Sequence, residues 1–251
     1  MKVIVDELAI EYETAGTGPV VLFLHGWQDN HETFNPLIPL LLDSYQVVRV
    51  DLPGFGKSET PKDVWDLENY VNFVSHFIQK LNLGIYAFIG HSFGGRIIIK
   101  GMASEVLSAP RVILIGSAGI AKRKTLRNLI FRTIAKVGKA VSNIPPLNFW
   151  KEDLRKKLYR VAGGDYLKAG SLQQTFVKII SEDLAEDATK MRTRALLIWG
   201  ANDTETPLAD GKRLSLLIPE AMIKVVENAG HYVHKDKKEE VVEIIKKFLL
   251  A

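Results

Sequence analysis

The stretch Ile89-Gly90-His91-Ser92-Phe93-Gly94-Gly95 constrains this chain more than any other. An apolar run, Ile85 to Ile89, leads into it, and a helix-like stretch, Arg96 to Ala103, leaves it. Gly-x-Ser-x-Gly between a strand and a helix reads as a nucleophile elbow. A serine pressed into so sharp a strand-to-helix turn is held in strained backbone geometry, and side chains two residues either side would collide. Gly90 and Gly94 remove those collisions. The Ser92 hydroxyl then stands clear of the sheet, over a helix N-terminus with unpaired N–H groups and a positive dipole end.

The rest of the chain supplies a sheet for that turn. Residues 3–13 alternate apolar and polar around Asp6-Glu7, which suits a hairpin at a sheet edge. Val20 to Leu24 is apolar throughout, as in a central strand covered on both faces. Thr33 to Leu42 reads as a helix, Gln46 to Val50 as a strand, and Leu67 to Leu81 as an amphipathic helix with His76 on its solvent side. Strands follow at Arg111–Ile115, 195–199 and 222–226, and a closing helix at 239–250. No acid follows the strand ending at Ile115; Gly116-Ser117-Ala118-Gly119 stands there instead.

Between 121 and about 190 the strand–helix alternation stops. Helices are expected over 122–141, 149–162 and 171–185, punctuated by Pro145-Pro146 and Gly163-Gly164. From Ile120 to Ile180 there are 14 Lys/Arg against 3 Asp/Glu in a chain of net charge +4, so the remainder is acidic. The first of these helices sets Leu126, Leu129, Ile130, Ile134, Val137 and Val141 on one side and Lys122, Arg123, Arg127, Lys136 and Lys139 over much of the rest. A basic amphipathic helix of this kind covers an apolar site, touches an anionic membrane weakly, or steers anionic substrates. Nucleic acid is not expected, because no recognition motif accompanies the charge.

Five pieces together resemble the α/β-hydrolase fold superfamily, in its order and spacing, over nearly the whole chain. They are Leu24-His25-Gly26-Trp27, Asp51-Leu52-Pro53-Gly54-Phe55-Gly56-Lys57-Ser58, Gly90-His91-Ser92-Phe93-Gly94-Gly95, Trp199-Gly200-Ala201-Asn202-Asp203 and Ala229-Gly230-His231. The resemblance implies an α/β fold with a mostly parallel eight-stranded sheet flanked by helices and an all-helical cap inserted after strand 6. Residues 1–120 and 191–251 would form the core domain and 121–190 the cap.

By the same resemblance, Ser92, Asp203 and His231 form a catalytic triad, with Glu205 as the fallback acid. The backbone N–H groups of Trp27 and Phe93 form the oxyanion hole. Asp51 takes a structural part in its turn and His25 shapes its loop. His234 is expected at the pocket rim or in solvent. The pocket is assigned to Trp27, His91, Ile120, Phe131, Phe149 and Trp150.

These residues point to a serine hydrolase cleaving small carboxylic esters through an acyl-enzyme, with no metal or organic cofactor. A carbon–carbon bond hydrolase, lactonase, thioesterase or lysophospholipase would carry the same triad, and a small-molecule receptor or signalling partner could use the same scaffold. The absence of cysteine excludes disulfides, thiol catalysis and thiolate metal sites. No window approaches the length of a transmembrane helix and no signal peptide is evident, so a cytoplasmic enzyme is expected. Oligomeric state is left open.

Overall fold

The computed structural model describes residues 1–120 and 170–251. Eight strands form one sheet: β1 (Lys2–Val5), β2 (Leu8–Ala15), β3 (Val20–Leu24), β4 (Gln46–Val50), β5 (Ile85–His91), β6 (Arg111–Ile115), β7 (Arg194–Gly200) and β8 (Ala221–Val226). Their order is β1-β2-β4-β3-β5-β6-β7-β8. The strands from β4 to β8 run parallel, and only β2 is antiparallel, to both of its neighbours. The β1–β2 hairpin turns through Asp6 and Glu7, whose φ angles are 48° and 64°. Two successive positive φ values are what a two-residue turn needs to match the twist of its strands.

Helices cover both faces. Among the described residues they are α1 (Leu67–Lys80), α2 (Phe93–Ala103), α3 (Gln173–Ser181), α4 (Ala185–Lys190), α5 (Leu208–Leu217), α6 (Val233–Asp236) and α7 (Lys238–Leu250). Because successive strand residues face opposite ways, β3 splits its side chains between two cores. Leu22 and Leu24 pack with Tyr70, Phe73, Phe77, Ile97 and Ile98 of α1 and α2. Val21 and Phe23 pack with Val241, Ile245 and Phe248 of α7 and with Phe34 and Leu37. Helix α1 starts at a reciprocal cap, in which Asp66 accepts the Asn69 N–H at 3.1 Å and the Asn69 side chain accepts the Asp66 N–H at 2.9 Å.

The helix expected over Thr33–Leu42 is absent. Two short 3₁₀ turns, His31–Phe34 and Ile38–Leu40, stand there. Pro36 and Pro39 explain the difference, since each removes an N–H from the helical ladder and its ring crowds the preceding turn. The helix expected over 171–185 is likewise broken: a 3₁₀ turn precedes α3, and Glu182–Leu184 separates α3 from α4. Of the span expected to form a cap, 121–169 lies outside the described residues. Leu172, Ile179, Leu184 and Ala188 from its remainder are buried in the same core as α2. No helix among the described residues is long and apolar enough to cross a membrane.

Candidate active site

The site forms where β3, β5, β6, β7 and β8 end. Ser92 sits between β5 and α2 with φ 50° and ψ −107°, outside the regions an ordinary side chain favours. Neighbouring backbone holds it there. The Ser92 N–H donates to the Ile115 carbonyl at 3.0 Å, and the Ser92 carbonyl accepts the Ala118 N–H at 3.1 Å. A Cβ on Gly94 would lie 2.0 Å from the Leu24 carbonyl oxygen, and one on Gly90 2.5 Å from the Ile98 side chain. Both glycines are therefore required by contact. Helix α2 begins at Phe93, three residues earlier than the helix-like stretch in the sequence.

His231 lies on the turn after β8, and Asp203 on the turn after β7. The two turns are pressed together: a Cβ on Gly200 would lie 2.2 Å from the Gly230 carbonyl oxygen. Asp203 Oδ2 accepts a hydrogen bond from His231 Nδ1 at 2.9 Å. Oδ1 of the same carboxylate accepts the N–H groups of Glu205 and Thr206, each at 2.9 Å. Asp203 is 6% exposed and His231 8%. Burial opposes ionisation of Asp203, but the His231 hydrogen bond and charge and the Thr206 donors outweigh it and hold the carboxyl below its ordinary pKa. Glu205 does not share that contact with Nδ1. Its Oε2 lies 3.6 Å from the other ring nitrogen, Nε2.

Thr206 was not singled out in the sequence. Its hydroxyl lies 2.9 Å from Asp203 Oδ2, 3.0 Å from the Gly116 carbonyl oxygen and 3.2 Å from His231 Nδ1. The readable signal is an aspartate followed by backbone donors two and three residues on, the pattern of an Asx turn. Gly116, at φ +48°, leaves room for the pair: a Cβ there would meet Asp203 Oδ2 and His231 Nδ1 at 3.3 Å.

Among the described residues the Ser92 hydroxyl makes no hydrogen bond to His231. The two residues are joined through His91, whose ring lies 4.7 Å from that of His231. His91 Nε2 donates to the His231 carbonyl at 3.1 Å. Nucleophile and base often close to bonding distance only when substrate is bound. His91 is 1% exposed and does not open onto a pocket as expected; as the last residue of β5 it packs behind the site, against His231 and His234. His234 is a second correction. It is fully buried rather than at the rim, because α6 turns it in beside Phe34, with its ring 5.4 Å away. Burial, then the charges of Lys235 and His231, lower its pKa to about 3.

Trp27 follows Gly26, where a Cβ would lie 3.4 Å from Ser92 Cβ. Phe93 is the first residue of α2, where helix N–H groups lack an intrahelical acceptor. Gly26, the residue before Trp27, and Phe93 thus both adjoin Ser92. The Trp27 and Phe93 rings meet edge to face at 5.4 Å, and Trp27 also contacts Phe55 at 4.8 Å and Phe176 at 5.0 Å. Phe55 and Phe176 complete an aromatic wall that the sequence did not announce. Ile120 is half-buried against the α1–α2 core, while Phe131, Phe149 and Trp150 lie outside the described residues, as does the basic helix.

Asp51 and His25 act as scaffold. Asp51 Oδ1 accepts the His31 N–H at 2.7 Å and contacts His31 Nδ1 at 2.6 Å, while Oδ2 accepts the Lys57 N–H at 2.8 Å. His25 Nε2 accepts the Leu52 N–H at 2.9 Å, so its Nδ1–H donates to the Gly26 carbonyl at 2.7 Å. His76 is exposed as expected and pairs with Asp6 at 2.9 Å. Among the described residues no cluster of three or more His, Cys, Asp or Glu is placed to hold a metal ion.

A parallel sheet with a strained serine after β5 and an Asp–His pair after β7 and β8 is the α/β-hydrolase arrangement. The family model described as the alpha/beta hydrolase family matches residues 21–244, and the chain belongs to that family. It is 27% identical to an uncharacterized hydrolase, YugF, of Bacillus subtilis, over 95% of this chain and 92% of that protein. Among solved structures it resembles an esterase from Exiguobacterium antarcticum, with TM-score 0.77 and 22% identity, covering 100% of this chain and 99% of that one. The enol-lactonase from Burkholderia xenovorans matches with TM-score 0.78 and 20% identity, covering 100% of both chains. At such identities the structural likeness establishes the fold, and the chemistry has to be argued from the site.

Proposed function

We propose that this hydrolase cleaves small carboxylic esters through an acyl-enzyme on Ser92. The observation that carries the reading is the Asp203–His231 pair, closed at 2.9 Å beside a serine held at positive φ. With Nδ1–H committed to Asp203, His231 presents bare Nε2 as the base. Nε2 takes the Ser92 proton as Oγ bonds to the ester carbonyl carbon, and the carbonyl electron pair moves onto oxygen. The N–H groups of Trp27 and Phe93 bind that oxyanion, whose charge exists only in the tetrahedral intermediate. The carbon–oxygen bond to the leaving alcohol then breaks, and the proton on Nε2 passes to the departing oxygen. Water repeats the sequence against the acyl-enzyme, releasing the acid and restoring Ser92. The wall of Trp27, Phe55, Phe93 and Phe176 supplies an apolar place for the acyl chain.

The test is hydrolysis of p-nitrophenyl esters with acyl chains from two to sixteen carbons, with Ser92→Ala alongside. Turnover should fall by several orders of magnitude in the variant while its fold is retained. Near-normal turnover by Ser92→Ala, or no turnover by the wild type on any chain length, overturns the reading.

A further inference from the structure

The Asp203 turn brings a second carboxylate to the opposite side of the His231 ring. Asp203 Oδ1 accepts the Glu205 N–H at 2.9 Å, and this turn carries the Glu205 side chain out to His231 Nε2, with Oε2 3.6 Å away. The Glu205 side chain is 58% exposed. Among the described residues no lysine or arginine pairs with it, and its carboxylate faces the imidazole edge that Asp203 does not use.

That edge is where the leaving group departs. Nδ1 is bonded to Asp203, so Nε2 alone can hand a proton to the alcohol oxygen. The oxygen must come within about 3 Å of Nε2 to receive it. A 3.6 Å gap between Nε2 and Oε2 then keeps the alcohol's first atoms within about 7 Å of the carboxylate, less than the Debye length at physiological salt. We infer that Glu205 is a specificity residue that selects the charge of the leaving alcohol, disfavouring anionic leaving groups and favouring neutral or cationic ones. This rests on the ester-hydrolase reading above and specifies its substrate class. Solvent around a half-exposed carboxylate weakens the effect, so selection is expected at roughly three- to tenfold per unit charge.

The experiment uses three esters of one acyl group with alcohols of similar size: choline, 3,3-dimethylbutanol and 4-hydroxybutyrate. Acid release is followed by pH-stat at low and at high salt, for wild type and Glu205→Gln. Wild-type kcat/KM should rank cationic above neutral above anionic, with the spread narrowing in salt. The glutamine variant, which keeps the shape and removes the charge, should bring the neutral-to-anionic ratio to within about twofold. A Glu205→Gln enzyme with the wild-type ratio, or one that loses all three activities equally, overturns the inference. If the wild type hydrolyses none of the three, the ester reading stands or falls on the p-nitrophenyl esters above. Charge selection is then read from the rates at which phosphonate esters with neutral, cationic and anionic leaving groups label Ser92, and equal rates overturn it.

Discussion

Arg96 Nη2 lies 2.6 Å from the Ile179 carbonyl oxygen and 2.6 Å from that of Glu182, so the helix that begins at the nucleophile turn caps the end of α3. Helix α3 carries Phe176, which packs on Trp27 beside the serine. One guanidinium thereby fixes the aromatic wall relative to the elbow. Burial lowers Arg96 to a pKa of about 10, which leaves it charged at neutral pH. Lys100, one turn further along α2, pairs with Glu182 at 2.8 Å at the same junction.

Arg96→Met would leave the Glu182 carbonyl without this donor and the Ile179 carbonyl with only the Glu182 N–H at 3.4 Å. A destabilisation of about 1–3 kcal/mol is expected in urea unfolding, the cost of one buried unsatisfied acceptor. KM for longer acyl chains should rise more than kcat falls, because Phe176 shifts while Asp203 and His231 stay in place. A variant with wild-type midpoint and unchanged KM would show that the clamp contributes to neither.

Asp203→Asn probes the acid separately from the shape of its turn. The Glu205 and Thr206 N–H groups would hold the asparagine carbonyl oxygen in place of Oδ1. The amide nitrogen would then face His231 Nδ1 and donate to it, which puts the imidazole proton on Nε2. A ring protonated there cannot accept the serine proton. Loss of about 10³–10⁴-fold in kcat is expected, with the fold and KM little changed. Residual activity near wild type would place the orienting acid elsewhere.

The parts of this protein set by local rules could be read from residues alone. The Ser92 turn was legible because Gly90 meets the helix that leaves its own turn, and Gly94 meets Leu24, at distances no side chain tolerates, and such contacts demand glycine by name. The parallel strands were legible because burial on both faces makes them apolar without interruption. Thr33–Leu42 misled because its apolar spacing suits a helix while Pro36 and Pro39 forbid one. Contacts between distant elements left no local signal. Phe176 reaches Trp27 only through the packing of α3, and His234 is drawn inward by a helix of four residues, Val233–Asp236. Glu205 offered a carboxylate near the right position, and only the Asx turn decides which imidazole nitrogen it faces.

The two histidines behind the site make folding sensitive to mild acid. Burial, then the charges of His234 and His231, hold His91 well below the ordinary histidine pKa of 6.5, and His234 stands at about 3. An unfolded chain protonates both near the ordinary value, whereas the folded protein keeps them neutral. Between those values the unfolded state binds more protons, so stability rises with pH and is lost as pH falls below about 6.5. Each such histidine contributes a slope of up to roughly 1.4 kcal/mol per pH unit. Asp51 and Asp203 add a second loss at lower pH. Burial opposes their ionisation, but their hydrogen-bond donors hold both below the ordinary 3.8, so their stabilisation disappears as pH falls through the folded-state values. Scanning calorimetry should therefore show Tm falling from about pH 7 to about pH 5, before the carboxylates titrate. His234→Gln, which removes one buried imidazole, should flatten that fall. A Tm constant across the interval in the wild type would mean that the buried histidines take up protons without opening the fold.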